Sequence, residues 1–204
     1  MNGKQIVHVI DDDPAILTSI AGFLITNGFG VQTYASAYDF LETIGPHAAG
    51  CVVTDALMPG MSGIELVSKM KERGFSLPII MITAYADISL TVEAMKLGAV
   101  DLLEKPFNIN ALVKVIRAAL SNWDDETAIG PKIEIVRARF SSLTHTEKEV
   151  LARLLKAMPN KLIADELGFS MRTFEAHRAT VMLKMKAANI AELVRISLSL
   201  ELIN

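Results

Sequence analysis

Disulfide chemistry is closed to this chain, because its 204 residues hold one cysteine, Cys51, in the apolar run Gly50-Cys-Val-Val-Thr54. A lone thiol in such a run is expected to be a small buried hydrophobe, and a reducing compartment fits it. No window approaches the roughly 20 uninterrupted apolar residues of a membrane span. Residues 1–10 hold one lysine and a short apolar stretch broken by His8, too little for the core of a signal peptide. The expectation is a soluble, cytoplasmic protein with no membrane partner. The four histidines form no cluster, and His177 has only Glu175 near it at ligand spacing. His177 is therefore read as a packing or capping residue rather than a metal ligand. Internal repeats and low-complexity tracts are absent too.

What is present is core-forming material: 51% hydrophobic and 21% charged residues. Disorder is thereby excluded as the dominant state. The net charge of −3 is unevenly spread. Residues 1–120 hold 8 Lys+Arg against 12 Asp+Glu, whereas residues 141–204 hold 9 against 7. An acidic front and a mildly basic back suggest different partners, although the basic excess alone does not establish nucleic-acid binding.

Residues 1–120 alternate short apolar runs (5–10, 30–33, 51–54, 78–82 and 99–103) with segments of helical periodicity. Asp13-Pro14 predicts a capped helix start, and Ser62-Gly-Ile-Glu65 is a capping box. Asn27-Gly28 and Gly98 read as helix stops. The pattern predicts a doubly wound, flavodoxin-like α/β domain with a five-stranded parallel sheet. Residues 121–140 break it with Trp123, three acids at 124–126 and Gly130-Pro131, and read as a linker in which 133–140 has helical character. Residues 141–204 show four short helical stretches, with starts at the capping box Thr144-His-Thr-Glu147, at Asn160, at Ser170 and at Asn189. They predict a small all-α domain of the size of many DNA-binding modules.

Acidic and phosphate-binding residue types fall where the strands end. Asp11-Asp12-Asp13 follows the first strand, Asp55 the third, Thr83 closes the fourth and Lys105-Pro106 follows the fifth. A doubly wound sheet gathers these at one carboxyl edge. Clustered carboxylates need a cation, and Mg²⁺ suits carboxylate, carbonyl and water oxygens. A lysine and a hydroxyl opposite it suit phosphoryl oxygens, and an aspartate there suits nucleophilic acceptance of a phosphoryl group. Asp13 is better explained as a helix cap. Each residue alone has a bland reading as a cap, a strand end or a solvated lysine; their joint placement does not.

Val53-Thr-Asp55-Ala-Leu-Met-Pro-Gly-Met-Ser-Gly63, with Ile10-Asp-Asp-Asp-Pro14, Ile82-Thr83-Ala84 and Glu104-Lys105-Pro106-Phe107, resembles response-regulator receivers over about residues 4–120. The resemblance implies Asp55 as phosphoacceptor, with Asp12 binding Mg²⁺ directly, Asp11 assisting and the Leu57 carbonyl as a further ligand. It implies Thr83 and Lys105 as phosphoryl contacts and a sensor histidine kinase as donor. Leu57 and Tyr85 would influence the phosphate's lifetime. One departure is Leu102, at a position where the family usually carries Tyr or Phe as a switch residue.

In the C-terminal part, Phe174, Val181 and Met185 repeat as a buried stripe on a helix expected to run at least three turns from Ser170. Arg172, Glu175, Ala176, Arg178 and Ala179 lie on other faces; small alanines permit close approach to base edges, and arginines reach bases or phosphates. An ordinary amphipathic helix would show the same pattern. Leu143-Thr-His-Thr-Glu-Lys-Glu-Val-Leu151, Asn160-Lys-Leu-Ile-Ala164, Arg172-Thr-Phe-Glu-Ala-His-Arg178 and Lys184-Met185 resemble a LuxR-type helix-turn-helix. With the receiver, they resemble response regulators of the FixJ/NarL class, the FixJ-like ones in particular. That implies phosphate contacts from Asn160 and Lys161 and a recognition helix carrying Arg172, Thr173, Glu175, Ala176, Arg178, Ala179 and Lys184. Ala157-Met-Pro159 stands where a Gly-containing turn is usual, and Phe174 where valine is.

The leading expectation is a two-component regulator of transcription. Phosphorylation of Asp55 would relieve occlusion or drive homodimerisation through the fourth helix and fifth strand, presenting two DNA-binding domains to paired half-sites, with RNA polymerase as a further partner. Catalysis beyond Mg²⁺-dependent phosphorylation and slow dephosphorylation of Asp55 is not expected. Two alternatives remain at this point: a phosphohydrolase using Asp11 and Asp13, and a receiver whose C-terminal helices bind protein.

Overall fold

Asp13 starts the first helix as its neighbours require. Its carboxylate accepts from the Ala15 amide at 2.8 Å, while Pro14 takes a first-turn position where no amide is needed. The computed structural model describes residues 5–45, 48–84, 88–123 and 133–200. Tyr85, the acids at 124–126 and Gly130-Pro131 lie outside the described residues. The strands are β1 (Ile6–Ile10), β2 (Gly30–Tyr34), β3 (Cys51–Asp55), β4 (Ile79–Thr83) and β5 (Asp101–Glu104). They form one parallel sheet in the order β2-β1-β3-β4-β5.

Helices α1 (Pro14–Thr26), α2 (Ala37–Thr43), α3 (Gly63–Glu72), α4 (Ile88–Leu97) and α5 (Ile109–Trp123) alternate with the strands. Alternate strand residues define two cores. Val7, Val9, Cys51, Val53, Ile80 and Ile82 pack with Ile20 and Leu24 of α1 and Leu112 and Ile116 of α5. Cys51 is buried, as its apolar run predicts, and burial pushes its thiol up to about 12, so it stays protonated and inert. On β1 the intervening residue is His8, only 3% exposed, with Nδ1 3.2 Å from the Tyr34 hydroxyl and its ring edge-on to Phe40.

The chain divides into two compact units, Met1–Ala86 with Leu97–Ala128, and Asp87–Lys96 with Ile129–Asn204. The second thus takes in α4 as far as Lys96. It continues with α6 (Ile133–Ser141), α7 (His145–Leu155), α8 (Asn160–Glu166), α9 (Met171–Met185) and α10 (Ile190–Leu198). Helix α6 is separate from α7 because the Thr144 capping box starts a new helix: Thr144 Oγ1 accepts from the Glu147 amide and Glu147 Oε2 from the Thr144 amide. Ser170 and Asn189 cap α9 and α10 in the same sense, whereas α8 begins after Pro159 without a side-chain cap. In the α7–α8 turn, Ala157 takes φ 60°, the left-handed region that glycine occupies more cheaply. Among the described residues, no helix is long and apolar enough to cross a membrane.

The start of α3 touches the end of β3. The Gly63 amide donates to the Ala56 carbonyl at 3.0 Å, and a Cβ on Gly63 would collide with the Asp55 carbonyl and stand 3.0 Å from Ala56 Cα. Gly63→Ala is therefore expected to destabilise the protein by about 1–3 kcal/mol, measured by urea unfolding. Burial holds the His8 imidazole below its ordinary value, a backbone hydrogen bond at Ala49 opposing it in part. The unfolded chain then binds the proton first, so this contribution is complete above the ordinary value of 6.5 and is lost as pH falls below it. Thermal midpoints of wild type should drop on going from about pH 7.5 to 5, and His8→Leu should flatten that slope.

Candidate functional site

Parallel pairing brings the acids together. Strands β1 and β3 are neighbours in register, Ile10 opposite Thr54, so Asp11 and Asp55 leave adjacent strands at the same edge. Asp11 is 3% exposed, and its Oδ1 accepts from the Asp13 amide at 2.9 Å. Asp55 Oδ1 accepts from the Leu57 amide at 2.9 Å, which fixes the carboxylate's orientation and leaves the Leu57 side chain exposed. Thr54 and Thr83 are fully buried at the ends of β3 and β4. Thr83 accepts at its carbonyl from the Lys105 amide, tying the last two strand ends together.

Lys105 supplies the cation. Its Nζ lies 3.0 Å from Asp11 Oδ2 and 2.5 Å from Asp55 Oδ2. Burial alone would lower the lysine's pKa, but hydrogen bonds to Asp55 and Asp11 outweigh it and raise the value, so the ammonium persists. Asp11 moves up, because burial outweighs the Asp13 amide and the Lys105 ammonium. Asp12 is exposed, and ligand atoms of Asp11, Asp12 and Asp55 lie within 4.8 Å of one another. The three carboxylates are thus positioned to hold a divalent cation. An oxygen-only donor set beside an open face suits Mg²⁺, which keeps several waters. Asp13 serves α1 as a cap, which removes it as the acid/base of a phosphohydrolase pair.

The sequence-derived DNA residues fall on α8 and α9. Arg172, Thr173, Glu175, Ala176 and Ala179 are exposed, Arg178 is half-buried, and Phe174, Val181 and Met185 are buried beneath them. His177 stacks on Phe169 with centroids 5.1 Å apart, the packing role expected. Arg178 lies 3.4 Å from Glu175. Lys184 is more engaged than its spacing suggests: Nζ lies 2.6 Å from Glu147 Oε2 and donates to the Ser142 carbonyl. Glu147 is 5% exposed, and this lysine and the Thr144 amide hold its carboxyl below the usual range. No local motif reveals the pair, since 37 residues separate its members. Leu102, 7% exposed, points into the receiver core from β5.

Fold and pocket together define a phosphorylation receiver joined to a helix-turn-helix unit. Residues 7–117 match the response regulator receiver domain, and residues 141–197 match the bacterial regulatory proteins of the luxR family. The chain is 44% identical to the transcriptional regulatory protein FixJ of Azorhizobium caulinodans, over 94% of this chain and 91% of that one. With FixJ of Bradyrhizobium diazoefficiens it shares 41% identity across the whole of both chains. The crystal structure of full-length FixJ from B. japonicum superposes with a TM-score of 0.58 at 40% identity, covering both chains completely. The chain belongs to the FixJ-like response regulators, DNA-binding transcriptional regulators of two-component signalling. Receivers of this family carry phosphorylation and dephosphorylation of their own aspartate, and family membership implies a cognate kinase, DNA and a second copy of the chain as partners.

Asp12→Ala should weaken Mg²⁺ binding about tenfold or more, the loss that even outer-shell partners bring. Lys105→Met should act oppositely. It removes the competing ammonium and tightens Mg²⁺ binding, while the metal-free protein melts earlier because Asp11 is left buried without a cation. Calorimetric titration and thermal unfolding read the two effects separately.

Proposed function

We propose that Asp55 is the phosphoacceptor and that its phosphorylation governs DNA binding by α8 and α9. The supporting observation is the Lys105 ammonium held between Asp11 and Asp55 at the carboxyl edge of the sheet. An Asp55 oxygen attacks phosphorus, the bond to the donor histidine nitrogen breaks, and the electron pair leaves on the imidazole. Lys105 takes the charge of one phosphoryl oxygen, and the Thr83 hydroxyl donates to another. Asp11, Asp12, Asp55 and the Leu57 carbonyl would hold Mg²⁺, which supplies charge neutralisation to the phosphoryl oxygens when bound.

The unit of function is a receiver over residues 1–120, a linker over 121–140 and a DNA-binding domain over 141–204. Phosphorylation adds about two negative charges at Asp55. Lys105 is drawn from Asp11 toward the phosphoryl group, and Thr83 follows at the end of β4. Leu102 faces this core as an aliphatic side chain, so coupling proceeds through rotamer change rather than the swing of a ring. Dimerisation uses residues of α4 and β5. Asn160 and Lys161 contact phosphates, while Arg172, Thr173, Glu175, Ala176, Arg178 and Ala179 face the major groove, with Lys184 at the far end. Paired half-sites lie about one helical turn apart. RNA polymerase is the further partner of the DNA-bound dimer.

Sedimentation velocity with Mg²⁺, with and without beryllofluoride as phosphoryl mimic, tests this reading. A monomer-to-dimer shift is expected in wild type and not in Asp55→Asn. A shift of equal size in both, or in neither, contradicts it.

A further inference from the structure

Leu183 is 77% exposed, more than any other large apolar side chain described as exposed. One leucine on a surface means little by itself; its register on α9 gives it meaning. Arg172, Ala176, Ala179 and Leu183 follow i, i+4, i+7 and i+11, and all four are exposed. Phe174, Val181 and Met185 repeat on the opposite, buried side. Beyond Arg172 this line presents only carbon. The polar neighbours are engaged along its flanks, Glu175 with Arg178 and Lys184 with Glu147. Leu183 therefore continues the groove-facing line of the DNA-binding helix by one more turn.

We propose that Leu183 reads the C5-methyl group of a thymine and so sets base preference at the far edge of each half-site. The inference rests on the reading of α9 as the helix that enters the major groove. An apolar side chain offers no hydrogen bond, and the one apolar mark on a base edge in that groove is the thymine methyl. Ala176 and Leu183 are about 10 Å apart along the axis at 1.5 Å per residue. The N-terminal part of a recognition helix lies nearest the bases, where the alanines permit close contact. Its C-terminal part stands further off, and a leucine spans the gap that an alanine would leave open.

The test starts from duplexes selected out of a random pool by the full-length protein with Mg²⁺ and beryllofluoride. Thymines in the selected duplex are replaced one at a time by deoxyuracil, which lacks only the methyl. Wild type should lose about fourfold in affinity at one position per half-site, the worth of one methyl-sized group removed from water. Leu183→Ala should lose the same factor on the thymine duplex and be indifferent to uracil at that position. Because the side chain is exposed, this variant should melt with wild type. A wild-type uracil profile in Leu183→Ala overturns the proposal, and so does a profile with no sensitive thymine. Selection that enriches no duplex overturns the groove placement of α9 along with it; enrichment with an unchanged profile overturns the role of Leu183 alone.

Discussion

The Lys105 ammonium between Asp11 and Asp55 is the contact that holds the receiver's acidic edge together. Parallel pairing of β1 with β3 delivers two carboxylates to adjacent strand ends, and Asp12 adds a third. Two like charges about 5 Å apart cost roughly 3 kcal/mol at an effective dielectric near 20. That cost is retained because β5 brings a lysine to the same edge. Among the described residues, Lys105 is the cation that pairs with both carboxylates.

The second unit uses a buried ion pair differently. Glu147 caps α7 and also receives Lys184 from the last turn of α9, so one carboxylate fixes both the start of one helix and the end of the other. Phe174, Val181 and Met185 seat the same helix from below. Arg153 pairs with Glu149 on its own helix and joins α7 to α8 through Glu166. These contacts set the angle of α9 by packing and by charge, leaving the face that runs from Arg172 to Leu183 open.

Much of this was legible in the sequence, and the physics says which part. Local signals were reliable. Asp13, Ser62, Thr144, Ser170 and Asn189 all cap helices, because a cap needs only residues within one turn. Strand ends shifted by one or two residues, as with Asp101–Glu104 for the run 99–103, since hydrogen-bonded partners define them. The acidic pocket was legible because a parallel sheet turns sequence position directly into a shared edge. Long-range pairing was not. Lys184 reads as a solvated helical cation until α7 is packed against α9, and nothing local announces that Glu147 will be buried. The separate helix α6 was legible only as helical character, because its end depends on the Thr144 cap that follows.

The proposed switch has charge at Asp55 change affinity for DNA through the rest of the chain. Its most direct test is fluorescence anisotropy of a selected duplex with Mg²⁺, before and after phosphorylation with a small-molecule phosphodonor. Binding is expected to be tighter after phosphorylation, an effect abolished in Asp55→Asn and weakened steeply by salt. Equal affinity before and after phosphorylation of wild type would contradict it.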